Sequence, residues 1–223
     1  MRWGKSVALL LGCVLLVWLR AAHAEPVPHA MQAASGSEPA EPRHILVLGD
    51  SLSAEYGLPR GSGWVHHIER RLQARDQAYQ IRNASISGDT TIGGLQRLPQ
   101  VLREFRPGIV ILQLGANDGL RGLPLRDMRA NLRNMIELSR TQGAEVLLVG
   151  QHIPPNYGPR YTREFHEVFS TLADETGSAL VPFMLEGIAT DSDMFLPDGL
   201  HPTAAAQAHI ADTIWVHLEP MLK

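Results

Sequence analysis

The sequence predicts an α/β domain with a parallel sheet that is covered by helices on both faces. Short runs rich in aliphatic and β-branched residues alternate along the chain with longer amphipathic runs. Strands that alternate with helices require crossover connections, which produce parallel sheets buried on both faces. The predicted strands are residues 45–48, 79–82, 109–114, 146–149 and 179–181. Ligands of such sheets bind outside the carboxyl ends of the strands, so the residues that follow each strand are the first candidates for a site.

Two of the amphipathic runs show the helical pattern clearly. In each run the apolar residues recur three or four positions apart, so that one face can be buried against the sheet. One run stops before Gly143, a residue type that commonly ends helices, and the other lies near the C-terminus. The apolar positions are Met128, Leu132, Met135 and Ile136 in the first run, and Ala211, Ile214, Trp215 and Leu218 in the second.

Size and charge limit the possible functions. The chain has 223 residues, of which 44% are hydrophobic and 19% charged, which fits one globular domain with or without an appendage. A domain of this length buries roughly 70% of the surface of its unfolded chain, so it needs no metal or disulfide for stability. The net charge is -3 and no long basic run is present, so we expect no nucleic-acid partner.

The N-terminal segment predicts export. Residues 1–24 combine the basic residues Arg2 and Lys5, an apolar stretch over 6–19, and small residues at Ala22 and Ala24 where a signal peptidase would read them. The stretch is shorter than the ~20 residues that span a bilayer, so we expect cleavage after Ala24 and no stable membrane insertion. An uncleaved membrane anchor is the alternative.

The next segment separates the predicted signal from the folded domain. Residues 25–43 are rich in Pro, Ala, Ser and Glu and predict a flexible leader, because they contain too few large apolar residues to form a core. The folded domain is expected over 44–223. The one cysteine, Cys13, lies inside the predicted signal, so a processed protein would contain neither a disulfide nor a cysteine nucleophile.

Candidate catalytic residues follow the first strand and precede the last helix. Ser51 comes directly after Gly49 and Asp50, where a nucleophile would face the ligand-binding edge. A serine hydroxyl needs a base that is oriented by a third group, and Asp198 and His201 are spaced so that the carboxylate can hold the imidazole. Each motif taken singly also fits an ordinary turn. Taken together, the three residues predict a Ser-His-Asp hydrolase.

Two further strand ends offer donors for an oxyanion. The second strand is followed by a segment containing Gly88, which can present a backbone N–H, and the third by Asn117, which carries an amide side chain. Both kinds of group can stabilise the negative charge that develops during acyl transfer. Asn117-Asp118-Gly119 and Ser87-Gly88-Asp89 are also typical turn sequences. All four motifs would nevertheless lie on one rim of the sheet.

These motifs resemble the four conserved blocks of the SGNH (GDSL) hydrolases, in the same order and spacing, over about residues 44–220. The blocks are Gly49 to Leu52, Gly88, Gly115 to Asp118, and Asp198 to Pro202. Residues 49–54, 83–90, 117–122 and 155–158 are also similar to the branch of bacterial periplasmic thioesterases, which are also described as arylesterases and lysophospholipases.

The resemblance implies a flavodoxin-like three-layer sandwich with a five-stranded parallel sheet. It also implies that Ser51 is the nucleophile and that Asp198 and His201 complete the triad. The backbone N–H groups of Ser51 and Gly88 and the side chain of Asn117 would form the oxyanion hole. No metal and no organic cofactor are implied.

The acyl site is less clearly encoded. Residues 151–160 follow the fourth strand, contain three prolines and predict either a rigid wall of an acyl groove or simply a long connection. Leu120, Ile153 and Pro154 are the expected acyl contacts. Glu55 departs from the resembling thioesterases, which have glycine after Ser-Ala. This departure bears on the shape and charge of the nearby acyl site and not on the triad.

The function predicted from the sequence is an exported, periplasmic serine esterase. Its partner would be a small-molecule acyl ester or thioester, and we expect it to act as a monomer. One alternative is a carbohydrate O-acetylesterase of the cell envelope, because other SGNH members deacetylate sugars. A second, from a different class, is an exported binding module without catalytic activity. An ordinary α/β-hydrolase is disfavoured because the G-x-S-x-G elbow is missing around Ser51.

Overall fold

A five-stranded parallel sheet lies between two layers of helices in the computed structural model, which describes residues 43–75 and 79–222. The strands are β1 (Arg43–Gly49), β2 (Tyr79–Asn83), β3 (Ile109–Gln113), β4 (Glu145–Val149) and β5 (Ala179–Val181). The helices are α1 (Trp64–Ala74), α2 (Thr91–Phe105), α3 (Ala116–Leu120), α4 (Leu125–Thr141), α5 (Pro159–Thr176) and α6 (Gln207–Leu218). Short 3-10 turns cover 155–157, 192–194, 204–206 and 219–221.

The strand order is β2-β1-β3-β4-β5, and every neighbouring pair is parallel. The chain starts at β1, moves outward to β2, then crosses back over β1 to β3 and continues in the other direction. The order therefore reverses between β1 and β3, which is the topological switch point where flavodoxin-like sheets bind ligands. The register sets Gly49 at the end of β1 beside Gln113 at the end of β3.

The two faces of the sheet form two separate parts of the core. Ile45 and Val47 of β1 pack on one face with residues of α1 and α6. Leu46 and Leu48 pack on the other face with residues of α2, α4 and α5. All four side chains are fully buried, so β1 reads as an unbroken apolar run. This double burial holds β1 firmly and fixes the point at which the chain leaves the sheet.

The predicted fold class and all five strands are confirmed, with strand ends within two residues of the predicted ones. The predicted loop over 151–160 is shorter than expected, because α5 already begins at Pro159. Proline suits the first turn of a helix, where its missing N–H is not needed. Helix α2 contains Gly93, Gly94 and Pro99, residue types that disfavour helices, but its buried residues Thr91, Gly94, Leu98 and Leu102 still recur at helical spacing.

The predictions for the N-terminus fall outside the described residues. The predicted signal, residues 1–24, and nearly all of the predicted leader belong to the part of the chain that the structure does not describe. Strand β1 begins at Arg43, one residue before the predicted start of the domain. Within 43–75 and 79–222, no helix has the length and apolar character needed to cross a membrane.

Candidate active site

Ser51, His201 and Asp198 form a continuous line of hydrogen bonds. Ser51 lies in the turn after β1, and its Oγ is 2.9 Å from Nε2 of His201. The other ring nitrogen, Nδ1, is 2.7 Å from Oδ2 of Asp198. The structure therefore brings the three residues, which are separated by up to 150 positions, into the arrangement of a nucleophile, a base and a group that orients the base.

Asp198 is set up to stay ionised. Its Oδ1 accepts hydrogen bonds from the backbone N–H groups of His201, at 3.0 Å, and Leu200, at 2.9 Å. These two bonds, together with the bond from the His201 ring, lower the pKa of Asp198 to about 2. The carboxylate can thus hold the imidazole tautomer whose free Nε2 faces Ser51.

Asn117 stands beside Ser51 at the start of α3. Its Nδ2 donates a hydrogen bond to the backbone carbonyl of Asp89 at 3.0 Å, and both Asn117 and Ser51 line the same cleft. An amide nitrogen has two N–H groups, and no hydrogen bond within the described residues uses the second. That second N–H is available for a developing oxyanion.

Gly88 lies in the adjoining loop and is exposed, but it is not one of the residues that line the cleft. Its backbone has a φ of 79°, a conformation that favours glycine. The side chain of Arg121 donates a hydrogen bond to the Gly88 carbonyl at 2.8 Å. Gly88 directly precedes Asp89, whose carbonyl accepts from Asn117, so its loop is joined to the site through that hydrogen bond.

The loop containing Gly88 is fastened to the sheet by Arg97 of α2. Its Nε donates to Oδ2 of Asp89 at 2.8 Å in a largely buried ion pair, and Nη1 donates to the carbonyl of Ala84. A longer contact of 3.4 Å joins Nη2 to the carbonyl of Gly49 at the end of β1. One side chain therefore fixes the loop after β2 relative to the turn that carries Ser51.

A buried polar network lies beneath Ser51. Asp50 is fully buried; its Oδ1 accepts from Nε2 of Gln113 at 2.9 Å and from the backbone N–H of Leu52 at 3.1 Å. The Oε1 of Gln113 accepts in turn from the backbone N–H of Asp50 and from Oγ of Ser53. The second carboxyl oxygen of Asp50 is buried with no hydrogen bond from the described residues. Burial raises the pKa of Asp50 to about 6, against the opposing effect of these hydrogen bonds.

An apolar cleft of about 780 Å³ extends from the triad. Ser51, Asn117 and His201 lie at its polar end, and the three expected acyl contacts, Leu120, Ile153 and Pro154, all line it. Further lining residues come from the segment that follows β4, among them Gln151 and His152, and from segments that follow β5, among them Phe183 and Met184. The cleft thus lies over the β3-β4-β5 side of Ser51.

A match to the GDSL-like lipase/acylhydrolase family covers residues 47–209, which is most of the chain. The chain belongs to this family. The predicted family is confirmed, and the protein is accordingly a hydrolase. The roles that the resemblance implies for Ser51, Asp198, His201, Gly88 and Asn117 stay predictions.

The following similar proteins each cover 80% or more of the chain. The chain is 43% identical over 214 residues to Esterase TesA of Pseudomonas aeruginosa. This alignment covers 96% of this chain and 98% of that protein. The chain is 37% identical over 178 residues to thioesterase 1/protease 1/lysophospholipase L1 of Escherichia coli K12. That alignment covers 80% of this chain and 84% of that protein. A crystal structure of TesA has a TM-score of 0.79 at 46% identity and covers 81% of this chain and 100% of its own.

Glu55 braces a neighbouring loop of this GDSL hydrolase. Its carboxylate accepts from the backbone N–H of Gly63 at 2.7 Å and from that of Gly61 at 3.0 Å, just before α1. The backbone of Glu55 has a φ of 58°, the left-handed region, where a glycine would be unstrained. Glu55 is not among the residues that line the cleft. The acid therefore supports the loop before α1 and does not project into the cleft.

Sequence reasoning missed two contacts of the site. Gln113 interrupts an otherwise apolar buried strand, which was the available signal that it has a specific polar partner. The ring of Tyr56 lies 4.4 Å from the ring of His201, with an angle of 39° between their planes. No local pattern marks Tyr56, because its contact depends on a residue 145 positions away in the chain.

Glu55→Ala is expected to destabilise the protein without changing its acyl preference. Two backbone N–H groups lose a charged acceptor, which should lower the free energy of unfolding by about 1–3 kcal/mol in urea titrations. The ratio of kcat/KM for short and long acyl esters should change by less than about twofold, since the carboxylate is outside the cleft.

Glu55→Gly is the matched control for that variant. It loses the same hydrogen bonds but relieves the left-handed strain, so it should be more stable than Glu55→Ala by about 1 kcal/mol. A clear shift in chain-length preference in both variants would contradict the structural role and return Glu55 to the acyl site.

Asp50→Asn is expected to flatten the pH dependence of stability between about pH 4 and pH 6. Because the pKa of Asp50 is raised to about 6, the folded protein keeps a proton that the unfolded chain releases near pH 4. The stability contributed by the protonated carboxyl is complete below about pH 4 and is lost as the pH rises through about 6.

Urea unfolding of both proteins across this pH range measures the effect. The difference in unfolding free energy between Asp50→Asn and wild type should change by roughly 3 kcal/mol in favour of the variant as the pH rises. Asp127→Asn, which alters an exposed carboxylate of α4, should run parallel to wild type. Parallel plots of unfolding free energy against pH for Asp50→Asn and wild type would contradict the raised pKa and show that Asp50 is already ionised in the folded protein above about pH 4.

Proposed function

We propose that this protein is a serine esterase that hydrolyses carboxylic esters and thioesters through an acyl-enzyme on Ser51. The observation that carries the proposal is the line of hydrogen bonds from Ser51 Oγ to His201 Nε2 and from His201 Nδ1 to Asp198, at the polar end of an apolar cleft. Membership of the GDSL-like lipase/acylhydrolase family supports the same chemistry.

Acylation begins when Ser51 Oγ forms a bond to the carbonyl carbon of the substrate and its proton moves to Nε2 of His201. Asp198 stays ionised and stabilises the imidazolium through Nδ1, in keeping with its lowered pKa. The carbonyl oxygen becomes an oxyanion, which accepts hydrogen bonds from the Asn117 amide and from the backbone N–H groups of Ser51 and Gly88.

The tetrahedral intermediate collapses when the bond to the leaving group breaks and His201 donates its proton to the leaving oxygen or sulfur. A water molecule then attacks the acyl-enzyme, with His201 again as the base, and the carboxylic acid leaves as Ser51 regains its proton. Apart from the substrate and the attacking water, every group in this cycle is an amino-acid side chain or a backbone N–H, so the proposal invokes no cofactor.

The cleft supports an acyl chain longer than acetyl. An acetyl group would fill only a small part of about 780 Å³, whereas a longer chain can contact Leu120, Ile153 and Pro154. The names of the relatives, an esterase and a thioesterase/lysophospholipase, support ester and thioester substrates. These observations favour lipid-like esters over the acetylated sugars of the alternative reading.

Export to the periplasm is part of the proposal and rests on the sequence of residues 1–24. Coenzyme A thioesters are mainly cytosolic, so an exported enzyme would meet oxygen esters, such as lysophospholipids, more often than acyl-CoA. N-terminal sequencing of the protein recovered from the periplasm tests this step, and Glu25 is the expected first residue.

An active-site label tests the nucleophile directly. Wild type treated with a fluorophosphonate should gain one adduct by intact mass and should hydrolyse p-nitrophenyl esters, because Ser51 Oγ is activated by His201. Ser51→Ala should do neither while keeping its far-UV circular dichroism spectrum. A folded wild type with neither adduct nor turnover would overturn the mechanism in favour of a binding module.

Asn117→Ala is expected to lower kcat by on the order of 10² to 10³, because the transition state loses an oxyanion donor. KM should change much less, since the ground-state carbonyl carries little of that charge. Steady-state kinetics with one p-nitrophenyl ester measures both, and a thermal melt checks that the variant is folded. Near-normal turnover in a folded variant would remove Asn117 from the oxyanion hole.

A further inference from the structure

The surroundings of Ser51 differ on its two sides. Apart from Ser51 and Leu52, the apolar cleft is lined by segments that follow β3, β4 and β5, on one side of the strand that carries Ser51. On the other side, the segments that follow β1 and β2 present Tyr56 and Ile86, which are 50% and 53% exposed and are not part of the cleft lining. Two large side chains therefore stand exposed outside the cleft, and one of them, Tyr56, lies in the same turn as Ser51.

Tyr56 is held in place close to the catalytic base. Its backbone N–H donates to the carbonyl of Ser51 at 3.3 Å, within the same turn. Its ring contacts the ring of His201, with centroids 4.4 Å apart and planes tilted by 39°. No hydrogen bond of the Tyr56 hydroxyl occurs within the described residues, so the ring itself makes the contact. The residue as a whole is 50% exposed, so part of the side chain remains accessible to a ligand.

The proposed reaction determines which part of a substrate reaches this ring. His201 Nε2 must come within hydrogen-bond distance of the leaving atom to protonate it, so the leaving group extends from a point beside the imidazole. The acyl chain, on the opposite side of the carbonyl carbon, is accommodated by the cleft. The leaving group therefore passes next to Tyr56.

We propose that Tyr56 forms the leaving-group subsite and favours esters whose alcohol portion is a planar aromatic ring. Aromatic rings pack in tilted or offset arrangements at the separation already seen between Tyr56 and His201, and such pairs add stabilisation beyond simple burial. This inference rests on the proposed function. Aryl esters are a substrate class that the resemblance already implies, and the inference assigns the selection of the aryl leaving group to one side chain.

A different role for Tyr56 would be to support the imidazole alone, and the two roles predict opposite patterns. An alkoxide is a poorer leaving group than a phenoxide and depends more on protonation by His201. Loss of support for His201 would therefore slow alkyl esters at least as much as aryl esters. Loss of a leaving-group contact slows aryl esters more.

The experiment compares phenyl butyrate with ethyl butyrate in wild type, Tyr56→Phe and Tyr56→Leu. Both esters give the same butyryl-enzyme, so a difference in kcat/KM arises before deacylation. We expect Tyr56→Leu to lower the phenyl-to-ethyl ratio of kcat/KM by roughly 3- to 10-fold, and Tyr56→Phe to leave it within about twofold of wild type.

Tyr157→Leu is the matched control. Tyr157 is also an exposed tyrosine, but its hydroxyl donates to the carbonyl of Leu120 on the acyl side of the site. The phenyl-to-ethyl ratio should therefore stay at the wild-type value. Product inhibition gives a second measurement that needs no turnover comparison: phenol should inhibit wild type at lower concentration than cyclohexanol, and Tyr56→Leu should lose that difference.

The remaining outcomes overturn the inference. An equal loss for both esters, or a larger loss for ethyl butyrate, assigns Tyr56 to the support of His201. A change confined to the preference between ethyl butyrate and ethyl decanoate assigns Tyr56 to the acyl side. If Tyr56→Leu does not fold, equal inhibition of wild type by phenol and cyclohexanol contradicts the aromatic subsite. Failure of the proposed function would appear separately, as a wild type that takes no fluorophosphonate.

Discussion

The hydrogen bonds between Asp50 and Gln113 hold the site together at the ends of the two central strands. Parallel pairing brings Gly49 of β1 and Gln113 of β3 side by side, and the backbone N–H of Asp50 reaches Oε1 of Gln113 at 3.3 Å. Oδ1 of Asp50 then accepts from both Gln113 and Leu52. The turn that contains Ser51 is therefore held through both the backbone and the side chain of Asp50. This region is buried, where an unpaired polar group would destabilise the fold.

The rest of the rim is assembled from this turn outward. Arg97 connects the turn to the loop after β2, and the carbonyl of Asp89 in that loop accepts from Asn117, which follows β3. Asp118, the neighbour of Asn117, accepts from both the backbone and the hydroxyl of Thr91, at the start of α2. The loops after three strands thus share partners, so changes in this network are expected to be non-additive.

The sequence predicted the parts of this structure that depend on local pattern. Strands buried on both faces read as apolar runs, and the polar motifs follow those runs, so the fold and the residues at its rim were accessible without coordinates. Contacts between distant residues were not accessible. Gln113 could be suspected as a polar residue in a buried strand, but its pairing with Asp50 depends on strand order. The brace from Glu55 depends on a left-handed backbone that its residue type does not favour.

Two aspartates near Ser51 illustrate how the fold separates similar groups by their surroundings. Asp198 is partly exposed and accepts two backbone N–H bonds, which lower its pKa, whereas Asp50 is fully buried with one oxygen unpartnered, which raises its pKa. The carboxyl that carries a charge in the proposed mechanism, where it stabilises an imidazolium, has the environment that favours ionisation. The carboxyl that only holds a turn has the environment that favours its neutral form. Opposite pKa shifts of this kind distinguish Asp198, which contacts the proposed base, from Asp50, which supports the turn.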